Sequence, residues 1–320
     1  MRQMSRRMFL QLCSGLAASG ALLQSTIARA VGTGPDTTLS PEEPMSAPKT
    51  IGLALGAGGA NGLAHIRMLE VFDELGIRPH KIAGSSIGAI IGALYASGLS
   101  AKEIGEVVNE LVVREEDTWK DVFVNKDIFK WIEFLDPELG QGGLVSSDAF
   151  LSFLFKQIRV ESFEALTIPL AVVATDFWQR RAVVFDKGPL LSAVQGSMAL
   201  PGLFTPVRRD GLVLIDGGAV NPVPYDILAP SCEATIAVDV AGKRSPKKDL
   251  SFLDTIFNTF QIMQHSIVAE KTSANPPDIS IVPDIVDIRA LEFYKVDTIY
   301  RQAKPAKDQL KRELSTLLEH

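Results

Sequence analysis

From Thr50 onward the chain alternates between short apolar runs and longer stretches in which apolar residues recur at helical spacing. The short runs are rich in Val, Ile, Leu and Ala, which is typical of strands buried on both faces of a parallel sheet. They predict strands at Ile51–Leu55, Lys81–Ala83, Ile168–Ala174, Arg181–Phe185, Leu212–Ile215, Ala234–Val240 and Ile279–Val282. The helical spacing predicts helices at Leu63–Glu74, Ile87–Ala96, Ala101–Glu110, Ser147–Gln157, Leu191–Met198 and Leu253–Lys271. This alternation predicts an α/β fold of three layers, with a mostly parallel central sheet flanked by helices.

The first 30 residues have the pattern of an export signal. They contain four arginines and no acidic residue, and an apolar run from Leu12 to Leu23 precedes the small-residue sequence Ala28-Arg29-Ala30. The pair Arg6-Arg7 resembles a twin-arginine signal, so we expect export to the periplasm and cleavage after Ala30. An uncleaved membrane anchor is the alternative, and it is disfavoured because the apolar run is shorter than the ~20 residues that span a bilayer.

Residues 31–49 are rich in Pro, Thr and Ser and lack periodicity, which indicates a flexible linker. Residues 50–320 then have the length of one large domain. We expect its motif-bearing core at about 50–230 and a helical C-terminal part at about 245–320. Residues 114–145 mix aromatic with charged side chains, and they favour either a mobile cap over an apolar groove or an irregular helical insertion.

Charge and cysteine content exclude several functions. Without residues 1–30 the chain keeps 28 basic side chains against 38 acidic ones, a formal charge of −10. We expect such a protein to bind poorly to nucleic acid and to dock poorly on anionic lipid by electrostatic attraction. Cys232 is then the only cysteine, so no intramolecular disulfide forms, and no Cys/His cluster has metal-binding spacing. We therefore expect neither a metal nor another cofactor.

A candidate nucleophile lies in Gly84-Ser85-Ser86-Ile87-Gly88, which has the form G-x-S-x-G between a predicted strand and a predicted helix. A serine on such a turn projects its hydroxyl above the sheet, and the flanking glycines permit strained dihedrals and close packing of the helix. The N-terminus of the helix also favours negative charge at this point. Ser86 is therefore the candidate nucleophile, and a turn without a reactive hydroxyl is the alternative.

A carboxylate is better placed than a histidine to act as the base. The histidines after residue 30 are either N-terminal to Ser86, on a predicted helix surface, or the last residue: His65, His80, His265 and His320. By contrast, a predicted apolar strand ends directly in Asp216-Gly217-Gly218, where a parallel sheet displays functional groups. Asp216 is the candidate general base, and a structural carboxylate that caps the next loop is the alternative. A carboxylate base predicts undiminished activity near pH 6, where an imidazole would become protonated.

The glycine-rich turn after the first strand does not have the residues of a nucleotide site. Asn61 stands where the dinucleotide motif G-x-G-x-x-G needs its third glycine, and no Gly-Lys-Ser/Thr sequence is present. The turn is better interpreted as a row of free backbone N–H groups at Gly58, Gly59 and Ala60 that receives an oxyanion. One such donor is typically worth ~3–4 kcal/mol in the transition state.

These three segments together resemble the bacterial patatin-like phospholipases over roughly residues 50–290. The resemblance is carried by Gly56–His65, Gly84–Gly88 and Asp216–Gly218, and it extends to Ala174–Asp176 and Ser197–Gly202. It implies a patatin-like fold and a Ser–Asp dyad in which Ser86 attacks an ester carbonyl and Asp216 accepts the proton. It also implies an oxyanion hole in the backbone of residues 57–60 and a lipid acyl ester as substrate. The charge of the chain is consistent with transient contact with a membrane surface through apolar side chains, and residues 114–145 are the candidate segment for that contact. The supporting glycines of the motifs are Gly56, Gly62, Gly84, Gly88, Gly217 and Gly218.

The chain departs from the family pattern at two positions, since Asn61 replaces a common Arg or Lys and Arg67 a common Gly. Two other functions remain compatible with the motifs. One is an esterase or thioesterase that uses the same dyad on soluble acyl compounds, and the other is a non-catalytic lipid-binding protein that keeps the fold. The sequence does not indicate the oligomeric state.

Overall fold

The core of the protein is an eight-stranded sheet. A computed structural model describes residues 49–111, 151, 160–246 and 252–319. The strands are β1 (Ile51–Leu55), β2 (Lys81–Ser85), β3 (Leu170–Asp176), β4 (Arg181–Phe185), β5 (Val207–Arg209), β6 (Leu212–Asp216), β7 (Ala234–Val238) and β8 (Ile279–Ile281). Their order is β5-β6-β3-β2-β1-β7-β8, with β4 paired to β3. Strands β3, β2, β1, β7 and β8 run parallel, while β4 and β6 are antiparallel to β3. The expected mostly parallel α/β sheet is confirmed.

Helices cover both faces of the sheet. The α-helices with described bounds are α1 (Ala64–Leu75), α2 (Ile87–Ala96), α3 (Ala101–Leu111), α4 (Leu190–Met198), α5 (Phe252–Ala274) and α6 (Val296–Glu319). All ten residues of α2 are buried, because this helix packs on the sheet while other helices cover its outer side. Helix α6 packs against α1. None of the described helices is both long and apolar enough to cross a bilayer.

The two faces of the central strands differ in side-chain size. Alternating positions place Leu, Ile and Val on one face, toward α1, α2 and α6. The opposite face presents the alanines Ala54, Ala83, Ala171 and Ala237. Because alanine is short, the segment that follows β6 and helix α5 approach this face closely, with Tyr225 and Leu228 in the same cluster and Val268 packed against it. The layers are therefore helix, sheet and helix.

The predicted elements are largely confirmed where the structure describes them. The bounds of β1, β4 and α2 agree with the prediction, and most others differ by one to three residues at an end. Strand β5 was not predicted, because its three residues include two arginines and show no apolar run. Strand β4 is not buried on both faces as expected, since it pairs only with β3 and leaves Val184 43% exposed. The predicted signal, the linker up to residue 48, the 114–145 segment and nearly all of the helix at Ser147–Gln157 lie outside the described residues.

Helix α6 belongs to the core of the domain, and this can be tested with two leucines. Leu310 is fully buried, whereas Leu318 on the same helix is 41% exposed. We expect Leu310→Ala to lower the free energy of unfolding by about 2–4 kcal/mol, because it opens a cavity under the helix. The matched change Leu318→Ala should alter it by less than about 0.5 kcal/mol. Urea unfolding followed by circular dichroism measures both, and equal effects would show that α6 does not pack as described.

Candidate active site

Ser86 occupies a strained backbone position between β2 and α2. Its φ and ψ are 55° and −124°. Residues other than glycine rarely adopt this backbone conformation, which costs about 1–3 kcal/mol. The turn is possible only because its neighbours lack side chains. A Cβ on Gly84 would lie 2.6 Å from Ala89 Cα, and one on Gly88 would lie 2.0 Å from the carbonyl oxygen of Leu55. The G-x-S-x-G sequence thus forms the predicted tight turn, with Ser86 at the N-cap of α2.

Two strands meet end to end and bring Ser86 next to Asp216. Strand β4 occupies one edge of β3, so β2 and β6 share the other edge. Ser85 at the end of β2 pairs with Val173, and Asp216 at the end of β6 pairs with the next residue, Ala174. The expectation that Asp216 ends a parallel strand is wrong, because β6 runs antiparallel to β3. Its carboxyl end nevertheless faces the carboxyl end of β2.

The two side chains are joined by a short hydrogen bond. The Ser86 hydroxyl donates to Asp216 Oδ2 at 2.6 Å, across 130 residues of sequence. The second oxygen, Oδ1, accepts the backbone N–H of Gly218 at 2.7 Å. Asp216 therefore caps the following turn and also contacts the serine, so the two alternatives raised by the sequence hold together. Burial raises the pKa of Asp216 from 3.8 to about 6, while its bonds to Ser86 and Gly218 act in the opposite direction.

Buried hydroxyls hold the backbone around this pair. Thr175 Oγ1 donates to the carbonyl oxygen of Asp216 at 2.8 Å. Ser197 Oγ accepts the N–H of Ser86 at 2.9 Å and donates to the carbonyl oxygen of Val173 at 2.5 Å. The sequence interpretation gave neither Thr175 nor Ser197 a role. Both lie in segments that carry the family resemblance, which was the available signal.

The glycine turn contributes two free donors rather than three. Gly58 and Gly59 line the same cavity as Ser86, and their N–H groups donate to none of the described groups. Ala60 is buried, and its N–H donates to the carbonyl oxygen of Ala290 at 2.8 Å, so the expectation of a free donor at Ala60 is wrong. Asn61 supports the turn from behind, since its Nδ2 donates to the carbonyl oxygen of Ala241 at 3.0 Å.

The three described histidines are not placed to act as the base, and His320 lies outside the described residues. His65 is fully buried, and its Nε2 hydrogen bonds to the carbonyl oxygen of Gly56 at 2.8 Å. Burial lowers the pKa of His65 to about 4, so the ring stays neutral at physiological pH and supports the glycine turn. His80 and His265 are exposed, and the surface position expected for His265 is confirmed. Within the described ranges, no group of three or more His, Cys, Asp or Glu side chains is arranged to hold a metal ion.

The pair lies in a cavity of about 270 Å³ that is almost entirely apolar. Asp216 is the only ionisable side chain among the described residues that line it. The apolar wall consists of Ile87, Ile90, Met198, Leu200, Leu203, Phe204, Phe257, Phe260, Leu291 and Phe293, with Ala57 and Ala290 at the glycine turn. Gln264 also lines the cavity and is only 5% exposed, and its carboxamide hydrogen bonds to none of the described groups. The arrangement suits a long apolar group with one polar end.

The fold and site define a class of α/β proteins with a serine–carboxylate pair at the carboxyl end of a largely parallel sheet. A sequence profile described as patatin-like phospholipase matches residues 53–229, more than half of the chain. The chain therefore belongs to the patatin-like phospholipase family.

Several curated relatives share this region. An uncharacterized NTE family protein of Mycobacterium bovis is 33% identical over 201 residues, which cover 62% of this chain and 51% of that protein. Neuropathy target esterase sws of Drosophila melanogaster is 33% identical over 198 residues, which cover 61% of this chain and 13% of the esterase. Lysophospholipase NTE1 of Mycosarcoma maydis is 28% identical over 247 residues, which cover 77% of this chain and 12% of that protein. The match thus spans about half of the mycobacterial protein and a small part of the other two.

Solved structures with distant similarity include VipD from Legionella pneumophila. It matches with a TM-score of 0.43 and 14% identity over 82% of this chain and 67% of VipD. Human GIVD cytosolic phospholipase A2 matches with a TM-score of 0.36 and 11% identity, and the match covers 85% of this chain and 60% of the phospholipase chain.

The buried charge of Asp216 predicts a pH-dependent cost to stability. Because its pKa is about 6 in the folded protein and 3.8 ordinarily, the folded state keeps a proton that the unfolded chain releases. Stability from this group is therefore greatest at low pH and falls as the pH rises through that interval. Asp216→Asn has the same shape and can bond to both Ser86 and Gly218, but it carries no charge. We expect this variant to be more stable than the parent by on the order of 3 kcal/mol above pH 7.

Thermal and urea unfolding of the two proteins between pH 4 and pH 8 measure this difference. The gap should shrink to less than about 1 kcal/mol at pH 4, where Asp216 is protonated in the folded parent and about half protonated in the unfolded one. A stability difference that does not change with pH would contradict a buried carboxylate with a raised pKa.

Proposed function

We propose that this protein is a serine acyl hydrolase that cleaves carboxylic esters of lipids through a Ser86–Asp216 dyad. The observation that carries the proposal is the 2.6 Å hydrogen bond from the Ser86 hydroxyl to a buried carboxylate, at a strained turn beside an apolar cavity. Strain of this kind persists only where the surrounding structure enforces it, and it clusters at catalytic positions. A purely structural serine would not need such a backbone.

In the first half of the reaction, Ser86 Oγ attacks the carbonyl carbon of the ester while its proton passes to Asp216 Oδ2. The negative oxygen of the tetrahedral intermediate faces the amides of Gly58 and Gly59, which have no other described partner. When the C–O bond of the ester breaks, Asp216 returns the proton to the departing alcohol oxygen. The product is an acyl-enzyme on Ser86.

In the second half, water replaces the alcohol. Asp216 takes a proton from this water, which attacks the acyl carbonyl, and the fatty acid leaves as Ser86 Oγ recovers a proton from Asp216. A pKa of about 6 suits both directions of transfer, because a base works best when its pKa lies near the working pH. The buried site supplies this shift without a histidine.

The cavity supports an acyl chain as the group that is recognised. Its wall is apolar, and no cationic side chain lies among the described lining residues, so an anionic headgroup has no partner inside it. The hydrocarbon would fill the space between α2 and α5, and any headgroup would remain outside. Relatives that carry the names esterase and lysophospholipase are consistent with this class of substrate.

Removing either member of the dyad should abolish turnover. We expect Ser86→Ala and Asp216→Asn to lower kcat/KM on short p-nitrophenyl esters by at least about a thousandfold, because nucleophile and base act as a unit. The unfolding midpoint of each variant shows that the fold is intact. His265→Gln, at an exposed position on α5, is the matched control and should retain full activity. Undiminished activity in either dyad variant would rule out this mechanism.

The pH profile should report the titration of Asp216. The sequence predicted no loss of activity near pH 6, but burial raises the pKa of Asp216 to about 6, so we now expect activity to fall there. We expect kcat/KM to fall about tenfold for each pH unit below that value, since only the ionised carboxylate accepts the serine proton. Measuring the kinetic pKa at several temperatures identifies the group, because imidazole pKa values fall on warming while carboxyl pKa values barely change. A strongly temperature-dependent kinetic pKa would contradict the assignment.

Two comparisons separate this function from its alternatives. Equal rates on monomeric and vesicle-borne substrates would favour an esterase or thioesterase that acts on soluble compounds. Covalent labelling of Ser86 by a fluorophosphonate probe would exclude a non-catalytic lipid-binding protein.

Export through a twin-arginine signal cleaved after Ala30 is part of the same proposal, and N-terminal sequencing of the periplasmic protein tests it.

A further inference from the structure

The turn between β3 and β4 exposes two aromatic side chains. Trp178 is 74% exposed and is the most exposed large hydrophobic side chain in the described part of the chain, and the neighbouring Phe177 is 45% exposed. Their rings stack edge to face, with centroids 4.9 Å apart and planes at 81°. Exposing an aromatic pair to water is unfavourable, and an exposed apolar patch of this kind marks a surface that binds another protein or a membrane.

The tip is held in shape by the residue that precedes it. Asp176 Oδ1 accepts the N–H groups of Trp178 at 3.1 Å and Gln179 at 3.2 Å. The carbonyl oxygen of Asp176 accepts the N–H of Arg180 at 2.8 Å, and Arg180 has a positive φ of 54°. A turn with these bonds presents the aromatic pair in a fixed orientation, so little ordering entropy opposes its binding.

Three exposed arginines lie on the hairpin or on a strand beside it. Arg180 and Arg181 are exposed, and neither forms an ion pair with a described residue, although Arg181 Nε donates to Gln179 Oε1 at 2.7 Å. Arg208 on β5 is also exposed and lies close, because it pairs with Val213, whose carbonyl oxygen accepts the N–H of Phe177.

The acidic side chains at this corner are Asp176, which is buried, and Asp210, which is exposed and forms an ion pair with Arg209. The corner therefore carries a local excess of positive charge, in contrast to the formal net charge of −6 from which poor docking on anionic lipid is expected. Tryptophan with adjacent arginine is the composition of side chains that sit at a membrane–water interface.

The tip and the dyad lie at the same edge of the sheet, the one formed by the carboxyl ends of the parallel strands. Strands β1, β2 and β3 run parallel, so the glycine turn, Ser86 and the tip all follow carboxyl ends at that edge. Ala174 pairs with Asp216, and Trp178 follows Ala174 by four residues. Trp178 therefore lies at most about 13 Å beyond Ala174 along the strand direction. Leu291, which lines the cavity, is itself 46% exposed at this edge beside the glycine turn.

We propose that the hairpin tip, Phe177 to Arg181, docks the protein on the surface of a phospholipid bilayer that contains anionic lipids. The aromatic rings enter the interfacial region and the arginines bind lipid phosphates, which turns the edge that carries the dyad toward the membrane. This inference deepens the proposed function by naming the surface through which the enzyme meets lipid substrate. The docking step itself needs no turnover, so it can be tested separately.

The test measures binding of the full chain to vesicles in the Ser86→Ala background, where substrate is not consumed. Vesicles of phosphatidylcholine with and without phosphatidylglycerol are sedimented with the protein. We expect Phe177→Ser with Trp178→Ser to weaken binding at least about tenfold on both vesicle types. Arg180→Gln with Arg181→Gln should weaken binding about thirtyfold on the anionic vesicles alone. The matched control is Ile262→Ser with Met263→Ser, an exposed apolar pair on α5 at 58% and 50% exposure, which should bind like the parent.

Fluorescence locates the contact. The chain contains three tryptophans, so Trp119→Phe with Trp131→Phe leaves Trp178 as the only tryptophan. Its emission should shift to shorter wavelength on anionic vesicles and should be quenched by brominated lipid. An unshifted emission, a parent that does not bind vesicles, or tip variants that bind like the parent would each overturn the proposal. Unfolding midpoints show that the variants are folded, and a failed ester assay would overturn the hydrolase function while leaving this result standing.

Discussion

The hydrogen bond between the Ser86 hydroxyl and the buried carboxylate of Asp216 is the interaction on which the rest of the site depends. A buried charge is costly, and the carboxylate is tolerated because each oxygen accepts one hydrogen bond. The remaining cost appears as a raised pKa, which is the property that lets a carboxyl group exchange protons with a serine near neutral pH. The same burial therefore sets the pKa of this carboxyl group and its cost to stability.

Close approach of backbones is the second constraint, and small residues provide it at each layer. A Cβ on Gly217 would lie 2.1 Å from the carbonyl oxygen of Val173, so the turn after β6 reaches β3 only without one. A Cβ on Gly218 would lie 2.1 Å from Gln264 Nε2, so the end of this side chain from α5 packs directly on the turn. On the alanine face of the sheet, Val268 of α5 packs against the cluster. Packing thus places the apolar wall of α5 opposite the dyad.

The glycine turn, Ser86 and the aromatic tip lie at the same end of the sheet, because they follow the parallel strands β1, β2 and β3. Three successive carboxyl ends supply amide donors, the serine and an aromatic tip, while β6 enters from the opposite direction to supply the carboxylate. The cavity is continuous with the core on the large-residue face, since Ile87, Ile90 and Met198 belong to both. The strain at Ser86 is supported by that core, in which α2 is wholly buried.

Sequence alone determined the features that depend on neighbours along the chain. Apolar runs located β1, β4 and α2 to the residue, and the glycines around Ser86 and after Asp216 marked both turns. Tertiary structure decided whatever needed a distant partner. The carbonyl of Ala290 takes the amide of Ala60, β6 turns out to be antiparallel, and burial moves the pKa of Asp216 to about 6. The reason is physical. Hydrophobic periodicity and turn conformation depend on residues close together in the sequence. Hydrogen-bond partners, strand direction and desolvation depend on segments that are far apart in the sequence and meet only in the folded protein.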